Sequence, residues 1–200
     1  TSGPLSLTLT AFGEISAGAI LRRNGARPGD AICVSGCIGD AGLGLALRQG
    51  KLTGVAAADA AYLLDRHQLP EPRLALGQAL VGIASASLDI SDGLIADLGH
   101  ICETSGAAAR IEIEQVPLSA AARRQLDRGA ARLPDLLVAG DDYELCFTVP
   151  RDRLEQLSAI AQATAVPITR IGGIASGRNV VAVGADGQPV TLAATGYRHF

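Results

Sequence analysis

Two short acidic segments carry the densest chemistry in this 200-residue chain. In Leu88-Asp89-Ile90-Ser91-Asp92-Gly93-Leu94 an apolar, strand-like run ends on Asp89, passes through a turn and leads into a helical pattern near Asp92. That order puts two carboxylates and a hydroxyl at a strand end beside a helix N-terminus. Oxygen donors of this kind suit Mg²⁺, which takes carboxylates, waters and substrate phosphates as ligands. The N–H groups of the helix start could also hold a phosphate oxygen. Ordinary capping competes with this reading, with Ser91 as N-cap and Asp92 favoured by the helix dipole. Capping accounts for Ser91 and Asp92 but gives Asp89 no task, and spacing alone leaves both readings open.

The second segment is Ala139-Gly140-Asp141-Asp142-Tyr143-Glu144-Leu145, with three acids in four positions ahead of a buried-strand pattern. It reads either as a solvated turn or, with the first segment, as part of a shared cation site. Gly25-Ala26-Arg27-Pro28-Gly29-Asp30 reads as a turn. Arg23, just before it, is either a surface charge or a fork for phosphate oxygens, a geometry that the guanidinium group suits. The terminal Gly196-Tyr197-Arg198-His199-Phe200 is an aromatic cluster of the sort that packs or frays at a chain end.

Several common signatures are absent. Gly50-Lys51 is followed by Leu52, so there is no P-loop. There is no Gly-x-Ser-x-Gly elbow. His67, His100 and His199 show no zinc spacing, and Cys33-x-x-x-Cys37 lacks a second pair. The net charge of -3, with Lys51 as the only lysine, gives no electrostatic reason to hold nucleic acid or an anionic membrane. No apolar run is long enough to span a bilayer, and residues 1–10 lack the pattern of a secretory signal. Cys33 and Cys146 sit in apolar runs where cysteine acts as a small hydrophobe. A reduced, cytoplasmic protein is expected.

The elements that must position these residues follow from periodicity. Strands are predicted over Leu5–Phe12, Ala31–Ser35, Ser87–Ile90, Ala109–Glu114 and Tyr143–Val149, with a strand-rich stretch from Val166 to Val190. An Asp186-Gly187 turn is predicted to join Val180–Val183 to Val190–Leu192 as a hairpin. Helices are predicted over Ser16–Asn24, from the glycine-rich Gly36–Gly44 loop to about Gly50, and over Ala56–His67, Arg73–Ala84, Asp92–Ser105, Ser119–Asp127 and Arg151–Ala163. Ser119, after Pro117, is the predicted N-cap of its helix. Interleaved strands and helices without a strict βαβ repeat indicate an α/β sandwich with a mixed sheet packed by helices.

Read in order, these segments resemble the thiamine-monophosphate kinase family. The resemblance rests on Ser2-Gly3-Pro4-Leu5-Ser6, Gly25 to Asp30, and Leu64 to Arg73 with its Pro70-Glu71-Pro72-Arg73 ending. It continues through Leu88 to His100, Asp142 to Pro150, and Gly196 to Phe200. It covers essentially the whole chain, and the Asp89–His100 and terminal segments favour the kinase over its superfamily cousins.

The resemblance implies the C-terminal domain of an aminoimidazole ribonucleotide synthetase-like fold. Residues 1–14 would be the last strand and linker of an N-terminal ATP-binding domain, and 15–200 the C-terminal domain. It implies transfer of the γ-phosphoryl of ATP to thiamine monophosphate, with Mg²⁺ and ATP required. By resemblance Asp89 and Asp92 are magnesium ligands, Arg23 and Ser91 contact ATP, and Asp141 and Tyr197 lie at the thiamine substrate. The family usually carries Gly-Gly-Glu-Asp where this chain has Ala139-Gly140-Asp141-Asp142, so Asp141 is one methylene shorter than the usual acid. The further magnesium aspartates and the homodimer interface would belong to the N-terminal domain, so the isolated chain is expected to be inactive. The alternatives are another ATP-using enzyme of the same superfamily, or a non-catalytic binding module derived from it.

Overall fold

Ala31–Ser35 is apolar at all but its last position, and it forms β1, buried along its whole length. The protein, seen here as a computed structural model, is described at residues 3, 5–192 and 196. After β1 come α1 (Asp40–Arg48), α2 (Ala57–Gln68), α3 (Leu74–Ala79), β2 (Ala86–Asp89) and α4 (Leu94–Ser105). They are followed by β3 (Ala108–Glu112), α5 (Ala120–Asp127), α6 (Leu133–Leu137), β4 (Leu145–Val149), α7 (Gln156–Thr164), β5 (Ile168–Ala175) and β6 (Val180–Val183). The strands form one sheet in the order β2-β4-β1-β5-β3-β6. Neighbours are antiparallel except β3 and β6, which run parallel, so the sheet is mixed as expected.

Alternation along the central strands sends side chains to two faces. Ile32 and Val34 of β1 and Cys146 of β4 join Leu94, Leu98 and Ile101 of α4 on one side. Cys33, Phe147 and Val149 join Leu76 and Leu80 around α3, and Leu157 of α7, on the other. β1 is thus covered on both faces, which is why it reads as a continuous apolar run. A third cluster, with Leu43, Leu63, Ala121, Ala122 and Leu136, ties α1, α2, α5 and α6 together. All four cysteines are free thiols, and Cys33, Cys102 and Cys146 are buried.

The differences from the periodicity reading have local causes. Leu5–Phe12 forms no strand: no ladder partner occurs among the described residues, and Leu5, Leu7, Leu9 and Phe12 are exposed. Ser16–Asn24 forms no helix. Gly18 adopts φ 79°, a single turn closes through Ala19 N–H on Ser16 O, and the chain then runs along the outer edge of β2, where Ser87 N–H donates to Arg22 O. α3 stops at Ala79, short of Ala84. Residues 113–115 and 151–153 make short 3₁₀ turns instead of extending β3 or α7. α6 is an additional helix, with proline in its first turn. The Asp186-Gly187 turn forms, but its second arm is reduced to a bridge between Val183 and Pro189. Proline has no N–H to extend a ladder. Ser119 caps α5 as expected, accepting the Ala122 amide.

Candidate functional site

The antiparallel register of β2 and β4 brings the two acidic segments together. Asp89, the last residue of β2, lies opposite Leu145, the first of β4. Beyond the strands the two turns remain bonded through their backbones: Ile90 N–H donates to Glu144 O at 2.8 Å, Tyr143 N–H to Ile90 O at 2.9 Å, and Asp141 N–H to Ser91 O at 2.9 Å. Gly140 permits this approach, since a Cβ there would stand 2.3 Å from Ser91 O. Asp141 and Tyr143 both adopt left-handed backbone conformations, φ 69° and 50°. Two such residues in one turn hold roughly 1–3 kcal/mol each of strain, a feature concentrated at functional sites. They also explain why β4 begins at Leu145 and not at Tyr143.

The capping alternative does not survive at the start of α4. The helix begins at Leu94, not Asp92, with Gly93 (φ 119°) at the cap position and no side-chain cap. The buried Asp97 carboxylate takes that role from inside the helix. Its Oδ2 accepts the amides of Ser91 and Asp92 at 2.9 Å each and of Gly93 at 3.1 Å. Ser91 is therefore not the N-cap of α4. The amides of Ser91, Asp92 and Gly93, just ahead of the helix, are thereby committed to Asp97. Burial pushes the Asp97 carboxyl up, against the pull of the three amides and with a smaller push from Asp92.

The acidic turn divides into two layers. Asp142 and Glu144 point inward and are 2% and 1% exposed. Asp142 accepts the amides of Gly39 and Ala41 at 2.7 and 3.1 Å, closing the start of α1. Glu144 receives Arg73, Arg66 and the Ser35 hydroxyl. The outer layer is Asp141 and Tyr143. Burial raises the Tyr143 phenol, and the carboxylates of Asp141, Asp89 and Asp92 raise it further, with a hydrogen bond to Asp141. One phenol thus senses all three acids. Tyr143 was not singled out by sequence reasoning; its position between two acids of a crowded turn was the available signal.

Arg23 is exposed, and its side of the molecule opens into a groove that it lines with Arg22, Ser87, Asp89 and Thr104. Its carbonyl accepts the Thr104 hydroxyl at 3.1 Å. The structure therefore brings Arg23 beside Asp89, and joins Asp89, Ser91, Asp92 and Asp141 at one end of the sheet. Tyr197 lies outside the described residues. Gly196 sits against the first turn of α4, where a Cβ would stand 2.4 Å from Ala96 Cβ and 2.7 Å from Asp92 O.

Carboxylates at one opening are hard donors and fit a small divalent cation such as Mg²⁺. Among the described residues, the grouping whose ligand atoms stand within 4.8 Å of one another is Asp92 with Asp97 and His100. It fits Mg²⁺ less well, because Asp97 Oδ2 already accepts three amides and imidazole favours softer metals.

Comparison with known proteins agrees with the architecture. The family model described as AIR synthase related protein, C-terminal domain, matches residues 27–184. The thiamine-monophosphate kinase of Salmonella typhimurium is 47% identical over 200 residues, covering 100% of this chain and 61% of that protein. The chain thus spans about three fifths of the length of this curated relative. The crystal structure of thiamine-monophosphate kinase from Stenotrophomonas maltophilia K279a superposes with a TM-score of 0.78 and 42% identity, over 88% of this chain and 56% of that one. AaThiL complexed with AMPPCP and TMP superposes with a TM-score of 0.75 and 32% identity, over 90% of this chain and 54% of that one.

Proposed function

The chain belongs to the AIR synthase related protein, C-terminal domain family, and from that premise we propose that it is the C-terminal part of an ATP-dependent thiamine-monophosphate kinase. The observation that carries the reading is the joining of the Asp89–Asp92 turn to the Asp141–Glu144 turn by three backbone hydrogen bonds. The names of the relatives specify the substrate, and AMPPCP, the ligand of one of them, is an ATP analogue.

In this reading Asp89 and Asp92 hold Mg²⁺, with Asp141 facing the same opening. Bound there, Mg²⁺ would supply positive charge that offsets repulsion between the two phosphate-bearing substrates. Arg23, which lines the same groove as Asp89, presents its guanidinium to phosphate oxygens of ATP. Ser91 contacts the nucleotide, and Asp141 and Tyr197 orient the thiamine side. Phosphoryl transfer needs little covalent help from the protein. The bond from the γ-phosphorus to its bridging oxygen breaks as a bond from an oxygen of the acceptor phosphate forms, and ADP leaves. The residues contribute positioning and charge.

The reading includes an N-terminal portion that supplies further magnesium aspartates and a homodimer interface, with residues 1–14 leading out of it. It places the protein in the cytoplasm, with neither nucleic acid nor a membrane as partner. No helix among the described residues is long and apolar enough to cross a membrane.

The test is an assay for thiamine diphosphate, run on this chain alone and on the longer protein. The longer protein should convert thiamine monophosphate with release of ADP, and the chain alone should not. Turnover by the chain alone at the rate of the longer protein would refute the shared-site reading. ADP release with a different acceptor only would favour another member of the superfamily.

A further inference from the structure

Glu144 is the most heavily bonded carboxylate beneath the site, and nothing above gives it a functional part. Arg73 grips it with two hydrogen bonds, Nε at 2.7 Å and Nη2 at 2.6 Å. Arg66 adds a third at 3.0 Å, and the Ser35 hydroxyl a fourth at 2.6 Å. The carboxylate fits only because residue 36 is glycine, where a Cβ would fall 2.1 Å from Glu144 Oε1. The two guanidinium groups come from the end of α2 and from the residue preceding α3, so the clamp fixes two separate elements and the end of β1 to one side chain.

The main chain of the same residue holds the metal-facing turn. Glu144 O accepts the Ile90 amide, and the flanking residues Tyr143 and Asp141 donate to Ile90 O and Ser91 O. Ile90 and Ser91 are the two residues between Asp89 and Asp92. A displacement of Glu144 is therefore passed, through bonded backbone, to the spacing of these two carboxylates and to Tyr143.

We infer that Glu144 is a positioning residue, clamped by Arg73 and Arg66 so that Asp89, Asp92 and Asp141 stand at the separations a divalent cation requires. The inference rests on the reading of Asp89 and Asp92 as cation ligands. The Glu144 carboxylate acts on these ligands through the main chain; altering groups that orient metal ligands typically weakens metal affinity about 10- to 100-fold.

The experiment titrates Mn²⁺ into the protein and follows the free-ion electron paramagnetic resonance signal. It compares wild type, Glu144→Asp, Arg73→Lys and Asp89→Asn, beside circular dichroism and melting curves without metal. Glu144→Asp keeps the charge but draws the carboxylate back by one methylene; Arg73→Lys keeps the charge but loses the two-point grip. Both should keep the native dichroism spectrum and weaken Mn²⁺ binding about tenfold or more. If Asp89→Asn weakens binding while these two variants lower only the melting temperature, Glu144 is structural and the inference is overturned. If Glu144→Asp does not fold, Arg73→Lys decides between the same outcomes. If Asp89→Asn binds Mn²⁺ as wild type does, the underlying cation-site reading fails and takes the inference with it.

Discussion

The carboxylate of Asp142 accepts the backbone amide of Gly39 at 2.7 Å, across 103 residues of chain. Burial pushes this carboxyl up to about 7 from an ordinary 3.8, opposed by the Gly39 and Ala41 amides and reinforced by Asp40 and Glu144. The folded state therefore holds the Asp142 proton more tightly than the unfolded chain does. The resulting stabilisation is complete below about pH 4 and is lost as pH rises through about 7. Burial raises Asp40 and Asp97 in the same direction. Urea unfolding at about pH 5 and about pH 8 should show lower stability at the higher pH, by on the order of 2 kcal/mol. Asp142→Asn should flatten that slope; the same slope in the variant would show that Asp142 stays ionised.

Asp97 predicts a reversal of the ordinary capping pattern. Removing its charge in Asp97→Asn weakens three amide bonds at once and should cost roughly 1–3 kcal/mol. Ser91→Ala, which a capping role would make costly, should change stability by no more than about 0.5 kcal/mol. Denaturant unfolding of the two variants side by side decides the matter, and an equal loss in both would restore Ser91 as a cap.

Much of the fold was legible because its strands are strongly patterned. Ala31–Ser35 and Leu145–Val149 are apolar runs with no competing period, and Ser119 announces its helix. The misread parts depend on long-range partners. Residues 21–24 look helical by composition but lie along the edge of β2, and no local rule shows that the Ser91 amide is taken by Asp97. At the site, Asp89 stood out because capping could not use it. The separation of Asp141 and Tyr143 from Asp142 and Glu144 was not legible, because it depends on which acids meet Gly39, Arg66 and Arg73 in space.

Asp89 and Asp92 should control magnesium dependence. In the longer protein, Asp89→Asn and Asp92→Asn should each lower kcat by about 100-fold or more, and added Mg²⁺ should recover part of the loss. Melting temperatures without metal should stay level or rise, since carboxylate repulsion is relieved. A magnesium titration of activity beside melting curves makes the comparison. Wild-type magnesium dependence in both variants would remove these residues from the site.

Gly140→Ala tests the junction between the two turns. Its new methyl group would collide with Ser91 O, 2.3 Å away, and backbone cannot yield as a side-chain end can. The expected cost is about 1–3 kcal/mol of stability, with activity falling further than in an equally destabilised core variant such as Leu137→Val. Thermal melts and kcat measured together test this. Parallel losses in the two variants would mean that the junction only holds the fold.

Both outer margins of the sheet are occupied by segments that are not strands. On β2, Ser87 N–H meets Arg22 O at 3.0 Å; on β6, Ala182 O takes the Val190 amide at 2.8 Å beside the Pro189 bridge. An uncovered margin offers a row of unpaired amides and carbonyls to any passing extended chain, which makes it a template for aggregation. One margin is closed by a proline-bearing turn. The other is crossed at Ser87 by the stretch that carries Arg22 and Arg23, so the segment that lines the groove with a cationic side chain also occupies part of the edge that another copy of the sheet would need for pairing.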